Sequence, residues 1–174
     1  MPEDLFPDLD HDHEVCTQSL LALAEHRCKA RGLRLTSLRR AVLLEVAASH
    51  KAVGAYDILD KFADRGQKVA PISVYRSLEF LQEAGFIHRL SSLNAYFACQ
   101  RSCSCDETSS LSRPLVFLIC DECGVIGEAD GDHLTNLVTT YATEGSFQNI
   151  HSQLEISGLC PICQKSPEDG AAPA

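Results

Sequence analysis

Residues 71–99 read PISVYRSLEFLQEAGFIHRLSSLNAYFAC, and this stretch predicts one helix followed by a small β-hairpin. Pro71 suits the first turn of a helix, and Gly85 suits its C-terminal cap. Between them, apolar side chains recur on one helical face at Val74, Leu78 and Leu81. Two stretches of alternating character then flank a short turn: Phe86 to Leu90, Ser91 to Asn94 and Ala95 to Cys99.

Three more helices are expected ahead of this segment. The first is expected to begin with Thr17 as its cap and to end at Gly32. The second has Thr36 as its cap, and the third covers about residues 55–64. Helices followed by a polar helix and a hairpin are the order of a winged helix-turn-helix, whose recognition helix enters the major groove of DNA.

The fourth helix carries a polar face opposite its apolar stripe. Ser73 and Arg76 lie on that face, with Tyr75 beside them. Arg76 is expected to reach a purine, because a bidentate Arg–guanine pair is the commonest specific contact in the major groove. Tyr75 and Tyr56 are expected either to contact a thymine methyl or a phosphate, or only to pack.

The net charge of −9 is unevenly distributed along the chain. Residues 1–16 carry six acids and no base, and residues 91–174 carry eleven acids against three bases. Residues 17–90 carry twelve Lys and Arg against seven acids. A basic segment between acidic flanks indicates one module that meets phosphate. Within it, the side chains expected to contact phosphates are those of Arg34, Arg39 and Arg40.

Two cysteine pairs mark the second half of the chain. They read Cys120-Asp121-Glu122-Cys123 and Cys160-Pro161-Ile162-Cys163. A spacing of two residues lets both sulfurs of a pair reach one ion, and two such pairs complete a four-thiolate zinc site. The alternative is that one pair is a redox dithiol. Redox chemistry needs only one pair of cysteines, so it would leave the other pair unexplained. The pattern therefore favours a structural zinc ion.

The remaining pattern of the second half predicts a small α/β unit. Strands are expected at 115–119, 125–128 and 147–156, with a helix at about 132–143. Such a unit is too small to bury much surface alone, so association with a second copy is expected. The expected fold class is α+β. The chain is expected to divide into a flexible acidic arm (1–16), a winged-helix DNA-binding domain (17–99), a hinge (100–113), a dimerisation and zinc-binding domain (114–166) and a disordered tail (167–174).

Composition also narrows the compartment and the class of protein. No stretch approaches the roughly 20 apolar residues of a membrane span, and the N-terminus is acidic where a signal peptide is basic. The nine cysteines are therefore interpreted as reduced thiols and metal ligands of a cytoplasmic protein. An enzyme is not expected, because four thiolates close the metal shell and neither a His-Glu-x-x-His motif nor a Gly-rich phosphate loop occurs.

Taken together, these motifs resemble the ferric uptake regulator family of metal-sensing bacterial repressors, and within it most closely the zinc uptake regulator subgroup. The likeness runs from about residue 17 to 165. It is carried, in order, by Arg34-Leu35-Thr36, Ala55-Tyr56-Asp57-Ile58-Leu59-Asp60, Pro71-Ile72-Ser73-Val74-Tyr75-Arg76, Gly85-Phe86-Ile87-His88 and Ile119-Cys120-Asp121-Glu122-Cys123-Gly124.

The resemblance implies a homodimer that, when loaded with zinc, binds double-stranded operator DNA and represses zinc-uptake genes, with one or two dimers on an operator. It also implies about two zinc ions per protomer, one structural and one regulatory. The structural ion is implied on the four paired cysteines. The regulatory ion is implied on His88 and Cys99 of the hairpin and Glu128 of the dimerisation domain. An ion shared between domains favours one dimer shape.

One position departs from the family pattern. The remaining regulatory ligand of the family is a His seven residues before Cys120, and Arg113 stands there in this chain. A guanidinium cannot bind zinc. The hypothesis is that one of two hinge cysteines supplies the fourth ligand, with Cys105 slightly preferred to Cys103 and with His133 or a water as the fallback; the alternative is that Cys103 and Cys105 bind no metal.

A related alternative is an iron- or peroxide-responsive regulator of the same family, and a zinc-dependent enzyme is a more distant one. The iron and peroxide sensors carry a His-rich run just before the first cysteine pair. In this chain Ser112-Arg113-Pro114-Leu115 stands there instead. That difference and the thiol of Cys99 favour zinc.

Overall fold

The computed structural model of the protein describes residues 5–6, 13–99, 114–148 and 152–165. The predictions for Cys103, Cys105, Arg113, the hinge, the tail and most of the acidic arm lie outside these residues. The chain forms two compact units, one of residues 8–107 and one of residues 1–7 with 108–174. They are called the N-terminal and the C-terminal domain below. The mixture of helices and sheets confirms the predicted α+β class.

Four helices open the N-terminal domain: α1 (His13–Ala30), α2 (Ser37–Val46), α3 (Ala55–Asp64) and α4 (Pro71–Glu83). The predicted start of α1 is wrong by one turn, because Thr17 lies inside the helix. Its hydroxyl donates to the carbonyl of Ala47 (3.4 Å) and so joins α1 to the end of α2. Thr36 does cap α2, accepting a hydrogen bond from the Arg39 N–H (3.3 Å). Gly85 follows α4 at φ +76°, a conformation that suits glycine.

The apolar faces of these helices form one core. Its fully buried members include Leu43, Ile58, Phe62, Leu78 and Leu81. A two-stranded antiparallel wing follows α4, made of β1 (Ile87–Leu90) and β2 (Ala95–Ala98). Val53 pairs with Tyr96, so a third short segment lies along β2 just before α3 begins. This is the winged helix-turn-helix that the sequence predicts.

The C-terminal domain contains a three-stranded sheet. Its elements are β3 (Leu115–Cys120), β4 (Ile126–Asp130), a 3-10 turn (Asp132–Leu134), α5 (Thr135–Glu144) and β5 (Gln153–Gly158). The strand order is β4-β3-β5, with β3 antiparallel to β4 and parallel to β5. The parallel pairing matters for function, because it brings the ends of β3 and β5 side by side.

Two boundaries in this domain differ from expectation. The strand predicted at 147–156 is wrong at residues 147 and 148, which lie outside any strand, and β5 spans Gln153–Gly158. Phe147 instead ends α5, donating its N–H to the carbonyl of Ala142 (2.7 Å) while Ser146 adopts φ +50°. The predicted helix begins as the 3-10 turn and becomes α-helical at Thr135.

Part of the predicted arm packs on the C-terminal sheet. The carbonyl of Leu5 and the ring of Phe6 lie against Gly127 of β4, where an added Cβ would stand 2.7 Å from the Leu5 oxygen. Glycine is the residue that permits so close a backbone approach.

No helix among the described residues has the length and apolar character that a bilayer crossing needs.

Candidate metal centres and nucleic-acid interface

The four paired cysteines converge at one end of the C-terminal sheet. Cys120 ends β3, and the pairing of Cys120 with Gly158 places the turn of Cys160 and Cys163 beside it. All four sulfurs lie within 4.8 Å of one another, and the Sγ atoms of Cys123 and Cys160 are 3.7 Å apart. A tetrahedron with Zn–S bonds of about 2.3 Å has an S–S edge of about 3.8 Å. The donor set therefore fits a tetrahedral zinc ion.

Backbone groups prepare these sulfurs for negative charge. The N–H of Cys160 donates to the Cys120 sulfur (3.3 Å), and that of Cys163 donates to the Cys160 sulfur (3.5 Å). Burial raises the pKa of Cys120, but the backbone N–H groups of Cys123, Cys160 and Glu122 outweigh it and lower the pKa to about 6. A hydrogen bond with Cys160, together with burial, raises the pKa of Cys163 to about 12.

The closeness of the four thiols is a further constraint on their ionisation. Four thiols packed this closely cannot all ionise, because like charges repel in a buried place. A divalent cation removes that conflict and lets every sulfur act as a thiolate ligand. Since both pairs meet at one point, a metal centre accounts for all four cysteines, whereas a redox dithiol would account for two.

A second pair of side chains that could hold a metal ion lies on the wing. His88 is in β1 opposite Phe97, and Cys99 lies two residues beyond Phe97, so both side chains belong to the same face of the hairpin. A ring nitrogen of His88 and the sulfur of Cys99 lie within 4.8 Å of each other. The N–H of Cys99 donates to the carbonyl of Phe86 (3.0 Å), and only 3% of Cys99 is exposed.

Glu128 lies in β4 of the C-terminal domain, opposite Phe117. Only 5% of its surface is exposed, and acidic side chains that are this buried are usually paired or bound to a metal. Of the other predicted ligands, His133 is exposed in the 3-10 turn. Cys105 and Cys103 lie outside the described residues.

The DNA-reading side chains predicted from the sequence lie mostly on the surface. Arg76 is exposed, Tyr56 and Tyr75 are 69% and 39% exposed, and Ser73 is half-buried. Desolvation and a side-chain hydrogen bond with Tyr56 raise the pKa of Tyr75. Tyr56 lies in the first turn of α3, and Tyr75 lies in α4. They remain solvent-accessible, as residues that face a ligand must be.

Sequence reasoning missed one residue on this face. Ile72 is 60% exposed, and it stands three and four positions before Tyr75 and Arg76 on α4. That spacing places all three side chains on one helical surface. The sequence contains the same spacing, but Ile72 is apolar and was therefore not considered as a residue of the polar face. An exposed aliphatic side chain of this kind can contact a thymine methyl.

The three arginines expected to meet phosphates differ in their surroundings. Arg34 is exposed, and Arg40 is 54% exposed with its Nε 3.6 Å from Glu25. Arg39 is half-buried and is engaged within the domain: its guanidinium stacks over the ring of Phe80 at 3.5 Å and donates to the carbonyl of Arg34 (2.6 Å).

Comparison with known proteins agrees with this geometry. The family described as ferric uptake regulator matches residues 30–157. The zinc uptake regulation protein of Escherichia coli (strain K12) is 36% identical over 150 residues, 86% of this chain and 84% of that protein. A solved zinc uptake regulator complexed with zinc and DNA has a TM-score of 0.77 at 34% identity, covering 86% of this chain and 95% of that one. Holo XcZur has a TM-score of 0.74 at 36% identity, covering 85% and 99%. The chain belongs to the ferric uptake regulator family.

Proposed function

We propose that this protein is a zinc-sensing transcriptional regulator that binds operator DNA when loaded with zinc and represses genes of zinc uptake. The observation that carries the proposal is the pair formed by His88 and Cys99. These metal-binding side chains lie on the wing of a DNA-binding domain, directly after the helix that exposes Arg76. A metal bound there acts on the element that reads DNA. The name of the E. coli relative and the solved complex with zinc and DNA support the same function.

We propose about two zinc ions per protomer. The first is structural and is held by Cys120, Cys123, Cys160 and Cys163. When bound, this zinc supplies a four-way cross-link between the ends of β3 and β5. Four sulfurs fill a tetrahedral shell and leave no position for a reactive water. This property supports a regulator rather than a zinc-dependent enzyme.

The second zinc ion is regulatory in this proposal. Its ligands are His88, Cys99, Glu128 and Cys105, with Cys103, His133 or a water as alternatives to Cys105. Thiolate and imidazole donors suit zinc better than iron or manganese. Because the proposed ligands come from both domains, the bound ion would fix the angle between them. It would thereby favour the dimer shape that spans two half-sites.

Dimerisation is supported by apolar surface on the C-terminal domain. Among the described residues, β5 is the last strand of the β4-β3-β5 sheet, and the edge of a sheet is where another strand can be added. Leu154 and Ile156, at alternate positions of β5, are 42% and 44% exposed. Further exposed apolar side chains of the same domain are Leu137, Tyr141 and Phe147. Covering these side chains with a second copy is the simplest way to remove them from water.

The DNA-facing surface completes the proposal. Arg76 would read a purine, while Tyr56, Tyr75 and Ser73 would contact neighbouring bases or the backbone. Arg34 and Arg40, both exposed, would meet phosphates. Two dimers on one operator remain part of the proposal. A location in the cytoplasm is also part of the proposal, because a regulator must reach the chromosome that carries its operator.

The test is a titration of operator binding against buffered free zinc. Fluorescence anisotropy of a labelled palindromic duplex from a zinc-uptake promoter should show tight binding only when zinc is replete. Iron and manganese should fail at matched free concentrations. Arg76→Ala should lose most of the preference for the operator over a scrambled duplex while keeping the zinc content of wild type. Binding that ignores zinc would overturn the proposed function.

A further inference from the structure

Arg39 occupies a position that its sequence context does not reveal. It lies in the first turns of α2, and its guanidinium carbon is 3.5 Å from the centre of the Phe80 ring. Phe80 lies on α4, four residues after Arg76, and is therefore one helical turn from the side chain expected to read the base. The contact attaches α2 directly to the recognition helix.

The same guanidinium also grips the loop before α2. Its NH1 donates to the carbonyl of Arg34 at 2.6 Å, and the backbone N–H of Arg39 donates to the Thr36 hydroxyl at 3.3 Å. One side chain thus joins three segments: the loop that presents Arg34, the start of α2, and α4. A planar guanidinium can stack on a ring and donate in its own plane at once, which an ammonium cannot do.

Arg40 provides the contrast. It is the next residue on the same helix, carries the same charge, and is 54% exposed with an exposed acid, Glu25, as its ion-pair partner. Such an exposed pair is weak and exchanges readily with a phosphate. Arg39, with its face on a ring and a nitrogen on a carbonyl, is held in place by the protein itself.

We propose that Arg39 is a positioning residue that sets the recognition helix against the Arg34 loop, so that base reading and phosphate binding occur in one docking pose. It acts through Phe80 and the Arg34 carbonyl and makes no phosphate contact of its own. This inference rests on the proposed function, because it concerns how the regulator tells operator from other DNA. It assigns Arg39 a role in specificity instead of the role in general affinity that charge alone suggests.

The salt dependence of binding separates the two roles. A side chain that neutralises one phosphate contributes about 0.9 to the slope of log K against log salt concentration. Because the proposed dimer carries two copies of Arg40, zinc-loaded Arg40→Gln should lower that slope by about 1.8 per bound dimer and weaken operator and scrambled duplex alike. Arg39→Gln should keep the wild-type slope and lower the operator-to-scrambled affinity ratio by about tenfold, the size expected for a stacked cation–π contact.

Variants of the partner ring make the test specific. Phe80→Leu should reproduce Arg39→Gln, and the double variant should lose no more than either single variant. Phe80→Tyr, which keeps the ring, should keep the affinity ratio. Arg39→Lys keeps the charge but lacks the planar guanidinium, so it should lower the operator-to-scrambled affinity ratio as much as Arg39→Gln does. Thermal melting of each variant shows whether a change in the affinity ratio comes from unfolding. If Arg39→Gln melts at a lower temperature than wild type, the comparison of Arg39→Lys with Phe80→Tyr tests the proposal instead.

The outcomes are distinct. A slope reduced by Arg39→Gln as much as by Arg40→Gln, with an unchanged ratio, would overturn the positioning role. The positioning role would also be overturned if Arg39→Lys kept the wild-type affinity ratio, or if the losses of that ratio in Arg39→Gln and Phe80→Leu were additive in the double variant. If wild-type protein shows no zinc-dependent preference for the operator, the proposed function fails before any variant is compared. If wild type shows that preference and Arg39 behaves as Arg40 does, only this inference fails.

Discussion

Val53 and Tyr96 exchange two backbone hydrogen bonds, each 2.8 Å long. Tyr96 is in β2, the strand that leads to Cys99, and Val53 immediately precedes Gly54, the residue at the N-terminal cap of α3. The first turn of α3 carries Tyr56. Within the N-terminal domain, the strand that leads to a proposed zinc ligand is therefore attached to the helix with a proposed DNA contact.

Val53→Pro should loosen this attachment. Proline lacks the N–H that donates to Tyr96, so one of the two bonds is lost and the carbonyl of the half-buried Tyr96 loses its donor. The expected cost is about 1–3 kcal/mol of unfolding free energy, with a larger fractional loss of zinc-dependent operator binding. Urea denaturation and anisotropy measure the two effects. Val53→Ala is the matched control because it keeps the N–H; equal losses in the two variants would exclude a role for the hydrogen bond.

Cys160→Ser should remove the structural zinc. A serine hydroxyl is a poor replacement for a thiolate, and the remaining three sulfurs cannot complete the shell. We expect about one zinc ion fewer per protomer after dialysis against a mild chelator, and loss of the cooperative melting transition of the C-terminal domain. Zinc content by mass spectrometry and melting by circular dichroism measure this.

Cys16→Ser is the control for that experiment, since Cys16 is an exposed thiol of α1 outside the cluster. Its zinc content and melting should equal those of wild type. Retention of all zinc by Cys160→Ser would show that the 3.7 Å approach of Cys123 and Cys160 serves packing instead of metal binding.

Local signals explain what could be predicted from the sequence. The bounds of α3 agree with expectation because Asp57 accepts from the Gly54 N–H (3.0 Å) at one end and an apolar face runs between the ends. The two-residue spacing within each cysteine pair predicts a metal-binding turn. These features depend on residues a few positions apart, which is the range that sequence patterns report.

Features that depend on packing could not be predicted. Arg39 looks like its neighbour Arg40 until the crossing of α2 and α4 places Phe80 beneath it. The start of β5 was missed because Phe147, an apolar residue with strand propensity, completes the end of α5 after the positive φ of Ser146. In each case a contact from elsewhere in the fold overrides the local preference.

Ile156→Glu should weaken the proposed dimer. The substitution places a charge on the exposed apolar face of the edge strand β5, where a second copy is expected to pack. Sedimentation of the zinc-loaded protein should shift towards the monomer, and operator affinity should fall because two half-sites are then read separately. Leu93→Glu is the control: Leu93, 48% exposed, belongs to the turn of the wing. A dimer that survives Ile156→Glu unchanged would place the interface elsewhere.

Glu45 supports a last prediction about stability. Its carboxylate is 6% exposed, and it joins α2 to α3 through Arg65 (2.5 Å) and Lys61 (3.7 Å), whose side chains are 56% and 43% exposed. Removing both cations leaves a buried carboxylate without compensation, whereas removing the carboxylate leaves two cations that water can solvate. The double variant Lys61→Ala/Arg65→Ala should therefore lose about 3 kcal/mol of unfolding free energy. Glu45→Leu should lose about half as much. Urea denaturation of zinc-loaded protein measures both, and a larger loss for Glu45→Leu would contradict the argument.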